Sequence, residues 1–158
     1  MTGVFVRDCG VGDLDAMAEM AEARRVSYER FEPLFWKKAA TSLEMGKAFF
    51  AHLIAQADTL CLLAEVEGRP AGFLIATAAR VPPVVDPGPT AMIDDFCVVR
   101  PEMWAAVGQA LLGAARARLR ERGFAQIVVV CGFKDQEKTA FLEAQDLSLA
   151  STWWTAPT

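Results

Sequence analysis

Apolar and polar positions change period several times along the chain, and each change predicts an element. Alternation over "GVFVRDC", Gly3 to Cys9, predicts a first strand. Leu14, Met17, Met20 and Ala21 then recur at helical spacing, with Asp13 placed as N-cap. Pro33 suits the first turn of a second helix, which carries Phe35, Trp36, Ala39, Leu43, Phe49, Phe50, Leu53 and Ile54, with Gly46 as a break. "TLCLLAEVEGRPAGFLIATAAR" sets two apolar runs around a tight turn and predicts a hairpin. The four prolines of "VPPVVDPGP", Val81 to Pro89, predict a rigid loop.

A strand follows in "TAMIDDFCVV". Strict alternation puts Met92, Asp94, Phe96 and Val98 on one face and Ile93, Asp95, Cys97 and Val99 on the other. A helix runs to about Arg122, where Gly123 closes it. "FAQIVVVCGF" is almost continuously apolar, the pattern of a strand buried in mid-sheet. "DQEKTAFLEAQD" predicts a short helix and "LSLASTWW" a closing strand. The resulting order, β-α-α-β-β-β-α-β-α-β, predicts an α/β (α+β) fold: residues 1–158 as one domain, with a single mixed sheet and helices on both faces.

Composition narrows the function classes. A chain of 158 residues, 53% apolar and 23% charged, can bury a core of its own and reads as a soluble globular protein. Its acidic N-terminal stretch lacks the apolar centre of a signal peptide, so a cytoplasmic location is expected, with no membrane partner. A net charge of −4 argues against nucleic acid. Arg116, Arg118, Arg120 and Arg122 fan around a helix end, where cations suit the helix dipole. Cys9, Cys61, Cys97 and Cys131 are too widely spaced for a metal cluster, and no metal is expected. His52, the only histidine, lies in a helical apolar pattern, and no nucleophile elbow accompanies it.

The second half of the chain, in its order and spacing, resembles the GNAT superfamily of acyl-CoA-dependent N-acyltransferases. The stretches that carry the resemblance are "LLAEVEGRPAGFLIA" for the central hairpin and "MIDDFCVV" for the fourth strand. "VGQALLGAARARLRERGFAQIVVVC" stands for the next helix and strand, and "KTAFLEAQDLSLASTWW" for the closing helix and strand. The resemblance implies a GNAT-like fold with a splayed strand pair that admits the pantetheine arm of acetyl-CoA. It also implies a helix entrance whose free amides hold the diphosphate. On that basis Cys97, Val98, Val99, Ala106, Val107, Gly108, Gln109 and Asp135 are the expected cofactor contacts. Tyr28 and Trp36 are the expected substrate contacts. The implied reaction is acetyl transfer to the amine of a small molecule or peptide, with Asp95 or Asp94 as general base. The resemblance leaves a homodimer open.

The chain departs from the family pattern at several places. The phosphate loop usually reads Arg or Gln, two residues, Gly, one residue, then Gly or Ala. Here Met103 and Ala106 replace the first two of these, and only Gly108 survives. Leu142 stands where the family's tyrosine donates a proton to the leaving thiolate, and Asp146 stands in place of a glycine. Two readings of the corner are open. It is a working cradle, or a helix that starts at Pro101 and lets Trp104 fill the site. The alternative to a transferase is a GNAT-fold CoA-binding or protein-interaction module with weakened or lost activity.

Overall fold

The computed structural model describes residues 3–158. Its sheet has five strands in the order β1-β2-β3-β4-β5. They are β1 (Val4–Asp8), β2 (Leu60–Val66), β3 (Arg69–Ala78), β4 (Thr90–Val98) and β5 (Gln126–Val129). Neighbours from β1 to β4 run antiparallel, and β5 lies parallel to β4. The β2–β3 hairpin turns on Glu67 and Gly68, at φ 53° and 72°. Two left-handed residues in a row match the twist of the strands they join.

Helices α1 (Leu14–Phe31) and α2 (Ser42–Ile54) cover one face of the sheet, and α3 (Gln109–Glu121) and α4 (Gln136–Ala144) cover the other. Met17, Ala21 and Phe50 pack on Leu63, Phe73, Ile75 and Cys97. Leu111, Leu112, Ala115 and Phe141 pack on Leu62, Leu74, Ile93 and Phe96. Both cores follow from alternation along β2 and β3, whose successive side chains enter opposite layers.

Four expectations need correction. The second helix begins at Ser42 and not near Pro33, because residues 33–41 form turns, and Gly46 lies inside that helix. Strict alternation fails on β4: Ile75 faces Asp95 while Ala76 faces Ile93, which leaves Asp94 as an extra, bulged residue. Ile93 and Cys97 therefore enter opposite cores. The apolar β5 is an edge strand and not a central one. Finally, "LSLASTWW" forms no strand; residues 148–158 have no regular secondary structure and are exposed.

Candidate functional site

The bulge at Asp94 sets up the candidate site. By breaking the alternation it turns Asp94 and Asp95 toward one groove, of about 70 Å³, on the α2 side of β4. Phe49, Leu53 and Met92 supply its apolar walls. Asp95 is not free there: Arg24 of α1 donates to its Oδ1 at 2.7 Å, and a second guanidinium nitrogen reaches the Asp94 carbonyl at 3.3 Å. The same guanidinium lies 5.9 Å from the centre of the Tyr28 ring. The Tyr28 hydroxyl donates to Asp135 Oδ2 at 2.8 Å and accepts from the Gly132 N–H at 3.1 Å. Burial, reinforced by Asp135, pushes the Tyr28 phenol well above its ordinary pKa, so it stays protonated. Trp36 meets the Tyr28 ring edge-on at 5.2 Å. Asp95, Arg24, Tyr28 and Asp135 thus form one polar chain from β4 to α4. Arg24 was missed in the sequence because an arginine on an acidic helix looks like one more solvated charge.

On the opposite face lies the mouth between β4 and β5. Their pairing stops at Ile93 and Val129, closed by the Val130 N–H on the Ile93 carbonyl at 2.9 Å. Beyond that point the strands part, and the gap is filled. Lys138 of α4 is fully buried, with its Nζ donating to the Phe96 carbonyl at 3.2 Å and the Val130 carbonyl at 2.9 Å. One ammonium therefore spans the two diverging strands. It lies 5.5 Å from the Phe96 ring and 5.7 Å from the Trp104 ring, in cation–π range. Burial lowers the Lys138 pKa, and Arg24 adds to that. The lysine has a periodicity signal of its own: it precedes Phe141 by three residues and Leu142 by four, on the face that enters the core.

Trp104 completes the plug. Its ring stacks on Phe141 at 5.1 Å and meets Phe96 edge-on at 4.9 Å. Gly108 makes room for it: a Cβ there would stand 2.6 Å from Trp104 Cε3 and 3.2 Å from Phe141 Cζ. Gly108 has helical angles, φ −59° and ψ −45°, so its backbone does not require glycine. The close approach that requires glycine comes from an indole.

The helix does start at Pro101. A 3-10 turn, Pro101–Met103, leads into a π-helical turn, Trp104–Gly108, and then α3. The Met103 N–H donates to the Arg100 carbonyl, the Trp104 N–H to the Pro101 carbonyl, and the Gln109 N–H to those of Trp104 and Ala106. Glu102 already places an acid in the first turn, where the helix dipole favours an anion.

The remaining expected cofactor residues are scattered. Cys97 is buried in the α1-side core, where desolvation pushes its thiol pKa up. Val98 packs against the α3-side core, and the Val99 N–H is taken by the Ala71 carbonyl at 2.9 Å. Ala106 and Gln109 are exposed, whereas Val107 is buried. Asp135 accepts from the Lys138 backbone N–H and caps α4. Leu142 packs into the core in the tyrosine's place, and Asp146 takes the glycine-like φ of 60°.

The sequence profile of the Acetyltransferase (GNAT) family matches residues 18–145. The chain is a member of that family. Solved structures repeat the fold at low identity. A mutant of the BH1408 protein from Bacillus halodurans superposes with a TM-score of 0.84 at 14% identity, over 98% of this chain and 99% of that one. Aminoglycoside N-acetyltransferase AAC(6')-Iy in complex with CoA gives 0.75 at 11%, over 100% and 96%. A predicted acetyltransferase from Clostridium acetobutylicum, solved with acetyl-CoA, gives 0.73 at 12%, over 98% and 96%. No curated protein sequence matches the chain. Acetyl-CoA is the cosubstrate the family implies. Between the diverging ends of β4 and β5, where the resemblance puts the pantetheine arm, stand Lys138, Trp104 and Phe141. Among the described residues there is no group of three or more metal-ligating side chains either.

Proposed function

We propose that this GNAT-family chain is a binding module that holds an amine-bearing ligand in the Asp94–Asp95 groove and does not load acetyl-CoA between β4 and β5. The observation that carries this reading is the Lys138 ammonium, bound to carbonyls of both strands beneath Trp104. To admit pantetheine the protein would withdraw the Lys138 donor from two carbonyls and expose an indole, the latter at ~2–3 kcal/mol. Set against the ~8 kcal/mol of a micromolar affinity, the indole alone weakens binding by roughly 30- to 150-fold. An amine suits the groove because a carboxylate stands between apolar walls.

Thermal unfolding with CoA, acetyl-CoA and a panel of amines, aminoglycosides included, tests this. The expected result is no shift with either CoA compound and a rise with an amine that Asp94→Asn abolishes. CoA binding at 100 times its Kd would add ~2.7 kcal/mol, or roughly 5–10 °C in Tm for a chain of this size, and would overturn the proposal.

A second reading is the one the family suggests: an N-acetyltransferase using acetyl-CoA, with Asp95 as base and Tyr28 and Trp36 on the substrate side. The bulge favours it by bringing both carboxylates to one groove. It requires Lys138 and Trp104 to leave the wedge and Asp95 to part from Arg24. Thiol release from acetyl-CoA in the presence of an amine would establish it.

A further inference from the structure

Two cysteines that stand far apart in the sequence are brought face to face by the sheet. Asp8 of β1 lies opposite Leu62 of β2. One step further along each chain the opposed residues are Cys9 and Cys61, and the Cys9 N–H donates to the Cys61 carbonyl at 3.0 Å. Residues opposed in this hydrogen-bonded way hold their Cα atoms ~5.5 Å apart, inside the ~4.4–6.8 Å span of a disulfide. Their side chains share the α1-side layer: Cys61 belongs to that core and Cys9 packs against it. Both are free thiols.

The pair is also reachable. A cavity of about 230 Å³ opens at that end of the sheet, lined by both cysteines together with Ile54, Thr59, Arg118 and Arg122. Arg118 is held there by the Asp8 carboxylate. Neither of the other two cysteines competes. Cys97 lies on β4, with β3 between it and Cys61, and Cys131 packs against the opposite core. Desolvation, reinforced by the neighbouring thiol, pushes Cys9 well above its ordinary pKa. Desolvation, reinforced by Asp8, pushes Cys61 up to about 11. Exchange runs through the thiolate, so burial makes the reaction slow at neutral pH without deciding its end state.

We propose that Cys9 and Cys61 form a reversible redox site, which a small-molecule disulfide converts to a covalent bond between β1 and β2. One cysteine thiolate attacks a sulfur of the small disulfide, forms a mixed disulfide and releases one small thiolate. The second cysteine thiolate attacks the protein sulfur of that mixed bond and releases the other small thiolate. The two cysteine protons end on the two released thiols, so the protein is oxidised by two electrons and the small disulfide is reduced by two. The new bond closes a loop that contains α1 and α2, and with them Arg24 and the Phe49 and Leu53 walls of the Asp94–Asp95 groove. It rests on neither reading of the wedge between β4 and β5.

Equilibration of the protein with oxidised and reduced glutathione, over a graded ratio, tests this. Thiols are counted after acid quenching and unfolding, and linked peptides are identified by mass. The expected result is a fall from four free thiols to two, with the Cys9 and Cys61 peptides joined and all four thiols restored by dithiothreitol. The bridged protein should melt roughly 5–15 °C higher than the reduced one. Cys9→Ala and Cys61→Ala should each stop at one bound glutathione, whereas Cys97→Ala should bridge as the wild type does. Four thiols at the most oxidising ratio, a bridge to Cys97 or Cys131, or glutathione held on both Cys9 and Cys61 at equilibrium overturns the proposal.

Discussion

Gly108→Ala separates the two meanings of the surviving glycine. A methyl there meets Trp104 Cε3 at 2.6 Å and Phe141 Cζ at 3.2 Å, and both rings are buried. Overpacking of this kind costs ~1–3 kcal/mol, and two rigid rings put it near the top of that range. Against it stands the helix preference for alanine over glycine, ~1 kcal/mol at a position that already has helical angles. The net expectation is a loss of ~2 kcal/mol, a fall in Tm of roughly 4–8 °C for a chain of this length. With Trp104→Leu in the background the 2.6 Å clash is gone, and only the 3.2 Å approach to Phe141 stands against the propensity term. Gly108→Ala should then be close to neutral, between no change and a gain of ~1 kcal/mol. Urea denaturation of the four proteins of this cycle reads the coupling directly. If Gly108→Ala is harmless in the wild type, or equally damaging in both backgrounds, the glycine does not serve the indole and the account of the filled wedge fails.

Other expectations follow from the same geometry. Lys138 has a lowered pKa in the fold, so below its ordinary value of 10.5 the unfolded chain binds more protons and burial of the lysine opposes stability. The lysine's own contribution to stability should therefore rise with pH as it deprotonates. The advantage of Lys138→Met over the wild type should shrink as pH climbs toward 10.5, read by urea midpoints; the buried thiols are common to both proteins and cancel. Tyr28→Phe leaves the Gly132 N–H and Asp135 Oδ2 without their partner. It should cost ~1–3 kcal/mol in urea denaturation and speed exchange at Gly132; an unchanged midpoint would show that the hydroxyl carries no weight.

Local and periodic features were legible before any coordinates. The hairpin follows from apolar runs around Glu67–Gly68, the close of α3 from Gly123 at φ 85°, and the start of α4 from Asp135. The layer order follows because each run can bury one face in only one way. The family could be read from the order of those runs.

Tertiary structure decided the site. Alternation counts residues and does not see a bulge, so it assigned Asp94 and Asp95 to opposite faces; the pairing with β3 put them in one groove. Arg24 and Asp95 lie 71 residues apart, and only the packing of α1 on β4 makes them an ion pair. Lys138 reads as a helix-surface charge until two strands part beside it and leave carbonyls that need a donor. A sequence fixes which groups exist and which face each tends to take. Whether a gap between strands stays open depends on summed side-chain volume and on unpaired polar groups, quantities that exist only once distant segments meet.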